Sequence, residues 1–292
     1  MRISLPSIRG ILPLLLALAI LPAHAHAEDK PLRVVSYNIR VPLDKTPYTW
    51  PERRDAVVEL LKELKPDIFG TQEGIKSQLT DLDAALTDFA RLGQGREGGE
   101  KGEYSAIYFR KDRIEPLKHG DFWLSDNPEE AGSMTWGNKL PRMLTWARCK
   151  DLATGREFVW FNTHFDHQSQ PSREKSAALL AQRANELGKD LPVIITGDFN
   201  AGAGKNPAFD ILKKEGGFMD AWDVAEKREG EGISSFNRFA TEPDKAGVRI
   251  DWVLFRGPFK VSEAAVVATQ KDGRFPSDHC PVLAVLHYTD AK

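Results

Sequence analysis

The groups in this 292-residue sequence that are able to carry out chemistry stand beside short apolar runs. They are acids, amides and histidines, and in chain order they are Asn38, Glu73, His164, Asp198, Asn200, Asp251, Asp278 and His279. Because successive side chains of a strand point to opposite faces, Asp198 and Asn200 share one face. A carboxylate at Asp251, between Ile250 and Trp252, is costly to bury unless a histidine, an arginine or a metal ion pairs with it. Each group alone is typical of a loop or turn, but together they indicate one site.

Oxygen ligands and histidines limit the chemistry that this set can perform. The sequence has no Gly-x-Ser-x-Gly and no cysteine–histidine signature for acyl transfer, no Walker loop and no dinucleotide-binding fingerprint. Carboxylate and amide oxygens suit Mg²⁺, Mn²⁺ or Ca²⁺, and histidine carries a proton or stabilises charge near neutral pH. Hydrolysis of a phosphate ester uses these parts: a cation for the phosphoryl oxygens, a base that aligns water, and donors that stabilise the transition state.

Short apolar runs typical of strands recur along the chain and must position these groups. They lie at residues 32–37, 67–71, 105–109, 143–149, 158–163, 192–196, 249–255, 264–268 and 282–286. Helical spacing of apolar residues predicts helices over 52–64 and 172–187, and Asn206-Pro207 begins a third. Thr49 and Glu52 fit a capping box at the start of the first helix. Strands outnumber helices and several follow one another directly, which predicts an α/β sandwich of mixed sheets with helices outside.

The composition is that of a globular chain without a strong charge. Forty Lys and Arg residues stand against 42 Asp and Glu, which gives a net charge of −2, and 41% of the residues are hydrophobic. This excludes a disordered tail or a fibre, and it argues against a protein that holds long nucleic acid by charge alone. Cys149 and Cys280 lie in apolar runs, where they either pair in an oxidising compartment or stay as buried thiols.

The first 27 residues have the pattern of a secretory signal peptide. Arg2 and Arg9 form a basic start, residues 11–21 are an apolar run too short to span a bilayer, and cleavage is expected after Ala25 or Ala27. A short membrane anchor is the alternative. We therefore expect a catalytic domain over residues 28–292 that works in the periplasm or as a secreted protein, as a monomer without a stable membrane span.

Six segments, in a fixed order, resemble a known family. They are Ser36-Tyr37-Asn38, Gln72-Glu73, His164, Gly197-Asp198-Phe199-Asn200, Asp251-Trp252 and Ser277-Asp278-His279. Together they resemble the endonuclease/exonuclease/phosphatase superfamily, which has the DNase I-like fold, over about residues 33–286. Within it, the sequence is similar to a bacterial exported subgroup. The resemblance implies a four-layer α/β sandwich, in which two packed mixed β-sheets are flanked by helices and the site lies at one edge of the sheets.

The resemblance implies a metal site. Glu73 would be the principal ligand of Mg²⁺ or Mn²⁺, with Asn38 beside it and Asp278 nearby. Arg40 stands where the abasic-site endonucleases of the superfamily have an acid, so a second set of metal ligands is missing. We therefore expect a single ion.

The resemblance also implies which residues carry the reaction. His279 would be the base that activates water, and Asp251 would orient it. Asp198 and Asn200 would position the water and the phosphate. His164 resembles a second histidine of the DNase I, sphingomyelinase and deadenylase branches, which abasic-site endonucleases lack, so the sequence disfavours that last branch.

Two features bear on the substrate. Arg142 is either a clamp that binds the substrate phosphate or one half of an ordinary surface ion pair. The Gly-rich stretch 93–103 predicts a mobile loop, and a solvated hairpin tip is its simpler interpretation.

The sequence as a whole predicts an exported, metal-dependent phosphoesterase, with a phosphodiesterase preferred. Its substrate would be a nucleotide, an oligonucleotide, or a phosphorylated sugar or lipid head group. An endonuclease or exonuclease that acts on DNA or RNA is the first alternative. A non-catalytic binding module on the same fold is the second.

Overall fold

The computed structural model describes residue 1, residues 30–43 and residues 45–290 of the protein. The strands in these residues are β1 Leu32–Asn38, β2 Ile68–Gln72, β3 Phe89–Leu92, β4 Ile107–Arg110, β5 Ile114–Trp123, β6 Met143–Asp151, β7 Glu157–His164, β8 Val193–Asp198, β9 Met219–Asp220, β10 Lys227–Glu229, β11 Asp251–Arg256, β12 Phe259–Val266 and β13 Val282–Tyr288. The helices are α1 Trp50–Leu64, α2 Lys76–Ala85, α3 Gln170–Leu187, α4 Pro207–Gly216 and α5 Ala221–Val224. The predicted signal peptide, apart from its first residue, lies outside the described residues.

The strands form two mixed sheets. The first sheet has the order β10-β12-β13-β1-β2-β4-β3, and the second has the order β5-β6-β7-β8-β11-β9. In the first sheet β1 runs parallel to β2 and antiparallel to β13. In the second sheet β7 runs parallel to β8, and β11 runs antiparallel to β8. Each sheet thus gathers the C-terminal ends of two parallel strands at one edge.

An apolar core lies between the two sheets. Val34 and Ile68 of the first sheet share one buried cluster with Trp160, Ile194 and Val253 of the second. Central strands that are covered on both faces are apolar along most of their length. Polar residues near the ends of β1 and β8 therefore stand out against the apolar residues that precede them.

Helices cover the outer face of each sheet. On the first sheet, Leu61 of α1 and Leu79 of α2 pack in one cluster with Val35. On the second sheet, Leu180 of α3 packs in a cluster with Ile195 of β8. The layers therefore run helix, sheet, sheet, helix, which confirms the predicted four-layer sandwich.

Local sequence explains where the predicted helices begin. At the start of α1 the carboxylate of Glu52 accepts from the backbone N–H of Thr49 at 3.1 Å, as the predicted capping box requires. Helix α3 begins two residues earlier than predicted, because the side chain of Ser169 caps it by accepting from the backbone N–H of Ser172. Helix α4 begins at Pro207, as predicted, with Asn206 as its cap.

Several boundaries predicted from the sequence are wrong. The strand predicted at 249–255 begins only at Asp251, and the strand predicted at 264–268 is the end of β12, which stops at Val266. The sequence prediction also missed α2 and the ten-residue strand β5. Strand β5 lies at an edge of its sheet and has a register shift near Pro116, so its apolar alternation is weak.

Two further predictions concern thiols and membranes. Cys149 and Cys280 are both free and buried, so the alternative of a disulfide between them is wrong for this structure. Among the described residues, every helix is too short or too polar to cross a bilayer.

Candidate active site

The polar groups predicted from the sequence lie where strands of both sheets begin or end. Strand pairing puts Asp198, the last residue of β8, between His164 of β7 and Asp251 of β11. In the first sheet, Asn38 at the end of β1 lies beside Gln72 at the end of β2. The Nδ2 of Asn38 donates to the Oδ2 of Asp198 at 3.0 Å, so the two sheets meet at this edge.

A cleft of about 320 Å³ opens at the same edge. Its lining contains six of the nine residues predicted for the site: Glu73, Arg142, His164, Asp198, Asn200 and His279. Of the other three, Asn38 and Asp251 contact these residues directly, and Asp278 is joined to Glu73 through the guanidinium of Arg40. The structure therefore brings all nine together, although their roles stay predictions.

Asn38 connects the acids of the two sheets. Its Nδ2 donates to Glu73 Oε1 at 3.2 Å as well as to Asp198, and its Oδ1 accepts from the backbone N–H of Arg40 at 3.0 Å. The side chain is fully buried. In this arrangement the amide nitrogen of Asn38 faces the acids, and its oxygen, the atom that would ligate a metal, is held by the backbone.

Glu73 is an ionised carboxylate with a guanidinium at its side. Its Oε2 accepts from Arg40 Nη1 at 3.2 Å and from the backbone N–H of Val41 at 3.1 Å. Burial raises the pKa of Glu73, but Arg40, His279 and these hydrogen bonds outweigh burial and lower it overall. Arg40 Nε also lies 3.5 Å from Asp278 Oδ2, so the guanidinium bridges Glu73 and Asp278. Sequence reasoning noted Arg40 only as a departure from the family pattern.

Arg53 of α1 holds the backbone around this bridge. Its buried guanidinium donates to the carbonyls of Ile39 and of Arg40, the latter at 2.6 Å, and to that of Pro276 at 3.3 Å. Burial lowers the pKa of Arg53 to about 10, so it keeps its charge at neutral pH. These carbonyls belong to the segments that follow Asn38 and precede Asp278. Arg53 therefore fixes the distance between two parts of the site.

A buried line of charged groups runs from Asp251 through His279 to Asp198. His279 Nδ1 lies 2.9 Å from Asp251 Oδ2, and its Nε2 lies 3.7 Å from Asp198 Oδ2. Burial alone would lower the pKa of His279, but Asp251 and Asp198 raise it to about 10. Burial and the nearby charge of Asp251 raise the pKa of Asp198 to about 7. The charged form of His279 is thus stabilised by a carboxylate on either side of it.

His164 and Asn200 form the next wall of the cleft. His164 Nε2 lies 3.0 Å from Asn200 Nδ2 and 3.5 Å from Asp198 Oδ2. Burial, followed by the charge of Arg142, lowers the pKa of His164 well below its usual value. A neutral imidazole accepts from the amide of Asn200, whose Nδ2 also donates to the carbonyl of Phe165 at 3.1 Å. Asn200 itself has a φ of 49°, a left-handed conformation of the kind that clusters at functional sites.

The wall of the cleft next to His164 carries guanidinium groups. Arg142 is only 3% exposed, so it is not part of an ordinary surface ion pair. Its Nε lies 3.5 Å from Asp166 Oδ2, and its Nη2 lies 2.9 Å from His167 Nδ1. Arg96, from the Gly-rich stretch 93–103, lines the same wall and pairs with Glu103 at 2.7 Å.

The donor atoms at the floor of the cleft fit a divalent cation. One ligand atom each from Glu73, His164 and Asp198 lies within 4.8 Å of the other two, and all three residues are buried. A second such group, Asp198, Asp251 and His279, is less suitable because His279, whose pKa is raised to about 10, keeps its proton, whereas the lowered pKa of His164 leaves its imidazole neutral and able to bind a metal. Of the three residues predicted as metal ligands, Glu73 belongs to the more suitable group. The oxygen of Asn38 is held by the backbone N–H of Arg40, and the guanidinium of Arg40 lies between Glu73 and Asp278.

Sequence reasoning missed four charged or titratable residues of the lining: Arg40, Arg96, Glu103 and His167. A guanidinium two residues after Asn38 was visible in the sequence as a possible partner for the acids. Arg96 and Glu103 gave no such signal, because a Gly-rich stretch with mixed charges is typical of a solvated loop.

Comparison with known proteins agrees with this geometry. The sequence profile of the endonuclease/exonuclease/phosphatase family matches residues 35–279. A crystal structure of a protein of that family from Bacteroides thetaiotaomicron is 33% identical, with a TM-score of 0.85, and the match covers 90% of this chain and 96% of that one. A mannosyl-6-phosphatase from the same species is 34% identical, with a TM-score of 0.81 over 87% of this chain and 99% of that one.

Matches to curated relatives are more distant. An uncharacterized protein of Acanthamoeba polyphaga mimivirus is 28% identical over 177 residues, which are 57% of this chain and 64% of that protein. The chain spans between 32% and 64% of the length of the curated relatives that it matches.

Proposed function

Because the chain belongs to the endonuclease/exonuclease/phosphatase family, we propose that it is a divalent-metal-dependent phosphoesterase that hydrolyses a small phosphate ester. One observation carries the proposal. The buried line Asp251–His279–Asp198 reaches the floor of a polar cleft at the point where Glu73 and His164 supply further donor atoms. A carboxylate–imidazole line beside a set of metal donors is suited to activating water against phosphorus.

Glu73 would hold the cation, and Mg²⁺ or Mn²⁺ fits its oxygen best. His164 and Asp198 have donor atoms within reach of the same ion. When bound, the ion neutralises phosphoryl oxygens and polarises water. We propose one ion, because the guanidinium of Arg40 supplies positive charge between Glu73 and Asp278. Asn38 would keep Glu73 and Asp198 in place through its amide nitrogen.

We assign the activation of water to the pair Asp198–His279. Asp198, whose Oδ2 lies 3.7 Å from His279 Nε2, would take up a proton of the water as the general base. His279, with a pKa raised to about 10 by its neighbours, would keep a proton and stabilise negative charge on phosphate. The family resemblance had assigned the role of general base to His279 alone. Asp251 keeps the imidazole oriented through its 2.9 Å hydrogen bond.

Asn200 and His164 would position the phosphate and the attacking water. Asn200 is fixed by three contacts: its backbone N–H donates to Asp198 Oδ1 at 2.9 Å, and its Nδ2 lies within bonding distance of His164 and of a carbonyl. A side chain fixed in this way loses little entropy when it orients a substrate. Arg142, which lines the same cleft, would bind a phosphoryl oxygen.

A sugar phosphate is our candidate substrate class. The support is that a mannosyl-6-phosphatase is 34% identical over 87% of this chain, and that a cleft of about 320 Å³ suits a small ligand. The net charge of −2 disfavours the nuclease alternative, since proteins that hold long nucleic acid by charge are usually strongly basic. The binding-module alternative does not explain why all nine residues of a hydrolytic set converge on one cleft.

We also propose that the protein is exported, as the signal pattern of residues 1–27 predicts. The support is the sequence alone. N-terminal sequencing of the protein recovered from a bacterial periplasm would give a start after Ala25 or Ala27. An intact Met1 in the periplasmic fraction, or a protein retained in the cytoplasm, contradicts export.

A substrate panel tests the proposed function. We expect the Mg²⁺-loaded protein to hydrolyse p-nitrophenyl phosphate, bis-p-nitrophenyl phosphate or a sugar phosphate, to lose this activity in EDTA, and to regain it with Mg²⁺. His279→Ala should lower turnover by a factor of about 10² or more. His119→Ala, on the exposed face of β5, is the matched control and should keep the wild-type rate. Activity that survives EDTA, or that His279→Ala leaves intact, contradicts the proposal.

A further inference from the structure

Two buried guanidinium groups in the wall of the cleft next to His164 lack a full set of partners. Arg142 is 3% exposed and Arg96 is 8% exposed, and both line the cleft. Among the described residues, Arg142 Nη1 and Arg96 Nε are buried and have no hydrogen-bond partner. Unpaired donors of buried charged groups are costly, so a site that keeps two of them indicates a ligand that pairs with them.

The loop that carries Arg96 is built to place it there. The backbone N–H of Arg96 donates to the carbonyl of Glu103 at 2.9 Å, and the indole Nε1 of Trp123 donates to the carbonyl of Arg96 at 2.6 Å. At Gly95 a side chain would begin 2.0 Å from the carbonyl oxygen of Lys101, so only glycine fits. The stretch 93–103 is therefore more than the solvated hairpin tip that its composition predicted.

The charges of the cleft favour a doubly charged ligand. The lining contains three guanidiniums, of Arg40, Arg96 and Arg142, three carboxylates, of Glu73, Glu103 and Asp198, and the imidazoles of His164, His167 and His279. The guanidiniums and carboxylates balance, so a divalent cation at Glu73, together with any proton on the imidazoles, leaves the cleft positive. A phosphate monoester carries about two negative charges at neutral pH, whereas a diester carries one. Charge complementarity therefore favours the monoester.

Arg96, Arg142 and His164 pack close together. The void that they share has a volume of only about 10 Å³, the size of one water molecule. The two guanidiniums are therefore near enough to act on one anion. His164 Nε2 in turn lies 3.5 Å from Asp198 Oδ2.

We propose that Arg96 and Arg142 form an anion subsite that selects phosphate monoesters by binding the free oxygens of the phosphoryl group. This inference rests on the proposed function and replaces the preference for a diester drawn from the sequence. In the reaction the oxygen of water bonds to phosphorus and the bond between phosphorus and the ester oxygen breaks. The alcohol leaves with one proton of the water, and inorganic phosphate remains on the two guanidiniums.

The variant Arg96→Gln tests this subsite on the Mg²⁺-loaded protein. We expect the wild type to prefer p-nitrophenyl phosphate over bis-p-nitrophenyl phosphate. Arg96→Gln should lower kcat/KM for the monoester by about 10- to 100-fold, which is the effect of losing one hydrogen bond to a charged group. It should lower kcat/KM for the diester by less than about threefold. Arg148→Gln, an exposed arginine of β6 that pairs with Glu157, is the matched control and should change neither value.

Calorimetric titration with inorganic phosphate gives a readout independent of turnover. We expect Arg96→Gln to weaken phosphate binding by the same factor by which it lowers kcat/KM for the monoester. Arg96→Lys keeps the charge but not the planar fork, so its phosphate affinity should lie between those of the wild type and Arg96→Gln. Arg96→Lys also serves if Arg96→Gln fails to fold, as judged by circular dichroism.

The possible outcomes separate this inference from the proposed function. Equal losses for both substrates, or a wild type that prefers the diester, overturn the subsite and leave the phosphoesterase intact. No hydrolysis of any ester by the wild type overturns the proposed function. In that case phosphate binding that weakens in Arg96→Gln still supports the subsite, and phosphate binding that does not change overturns it.

Discussion

The change Asp251→Asn tests the buried line that leads to the cleft. It removes one negative charge from a fully buried side chain whose Oδ2 lies 2.9 Å from His279 Nδ1, while the amide oxygen still accepts the same hydrogen bond. A pKa raised from 6.5 to about 10 corresponds to about 5 kcal/mol in favour of the charged imidazole. Asp251 is the largest cause of that rise, and burial opposes it.

We expect two results from Asp251→Asn. In the metal-free protein, nitrogen-15 NMR of the histidine rings should show that His279 loses its proton at least about two pH units earlier than in the wild type. Turnover of a phosphate ester should fall by a factor of about 10² to 10⁴, because the imidazole loses its charge. The control Asp151→Asn makes the same change at another fully buried aspartate, which pairs with Arg113 at 2.7 Å, outside the cleft.

The control decides how the result is interpreted. Asp151→Asn should lower stability and leave the titration of His279 and the rate per folded molecule unchanged. If Asp251→Asn keeps a wild-type rate and a wild-type titration of His279, the line has no catalytic role. If both variants lose activity equally, the effect of Asp251→Asn is one of stability, and the assignment fails as well.

Three further predictions concern the same edge of the sheets. Asp198→Asn should lower turnover by a factor of about 10² or more. The same change should raise the melting temperature of the metal-free protein, because it removes a buried charge that repels Asp251. A lower melting temperature contradicts this expectation. The free energy of unfolding of the metal-free protein, measured by urea titration, should fall between pH 5 and pH 9. The stabilisation from the raised pKa of Asp198 is lost as pH rises through about 7, and the stabilisation from the raised pKa of His279 is lost as pH rises through about 10. A flat profile argues against buried charges of this kind. Gly70→Ala should lower stability by about 1–3 kcal/mol in thermal denaturation, because the new Cβ would lie 2.2 Å from Asn162 Oδ1; an unchanged melting temperature would show that the sheets are not so closely packed there.

Most of the candidate site was predictable because its residues are local exceptions to a strong pattern. Asn38 and Asp198 are polar residues at the ends of strands whose preceding residues are mostly apolar. The strand period predicted that Asp198 and Asn200 share one face, but β8 ends at Asp198 and Asn200 follows it in a left-handed conformation. The register between β7, β8 and β11 then places His164, Asp198 and Asp251 side by side. The sequence of a single strand does not determine how it aligns with its neighbours. Before the structure, only the resemblance to a family therefore connected these three residues.

The part of the site that was not predictable depends on contacts between distant segments. Arg96 reaches the cleft because Trp123, 27 residues away, donates to its carbonyl. Arg40 points at Glu73 and Asp278 because Arg53 of α1 binds the carbonyl of Arg40. Neither position is marked by periodicity or by a motif, and long-range contacts of this kind overrule local composition.

The missed elements have a similar cause. Helix α2 buries only three residues, one of which is Gln78, so its apolar periodicity is weak. Strand β5 is half exposed at the edge of its sheet and is interrupted by Pro116 and Gly120, which are poor strand formers. Elements that bury little of their own surface are the ones that a sequence pattern indicates least.

Equilibrium binding of Mn²⁺, followed by its electron paramagnetic resonance signal, tests the central claim most directly. We expect the wild-type protein to bind one Mn²⁺ per chain. Glu73→Gln, which keeps the shape of the side chain and removes its charge, should weaken binding by a factor of about 100 or more, while the exposed control Glu115→Gln should bind as the wild type does. A wild type that binds no Mn²⁺, or a Glu73→Gln variant that binds it with unchanged affinity, would contradict the account.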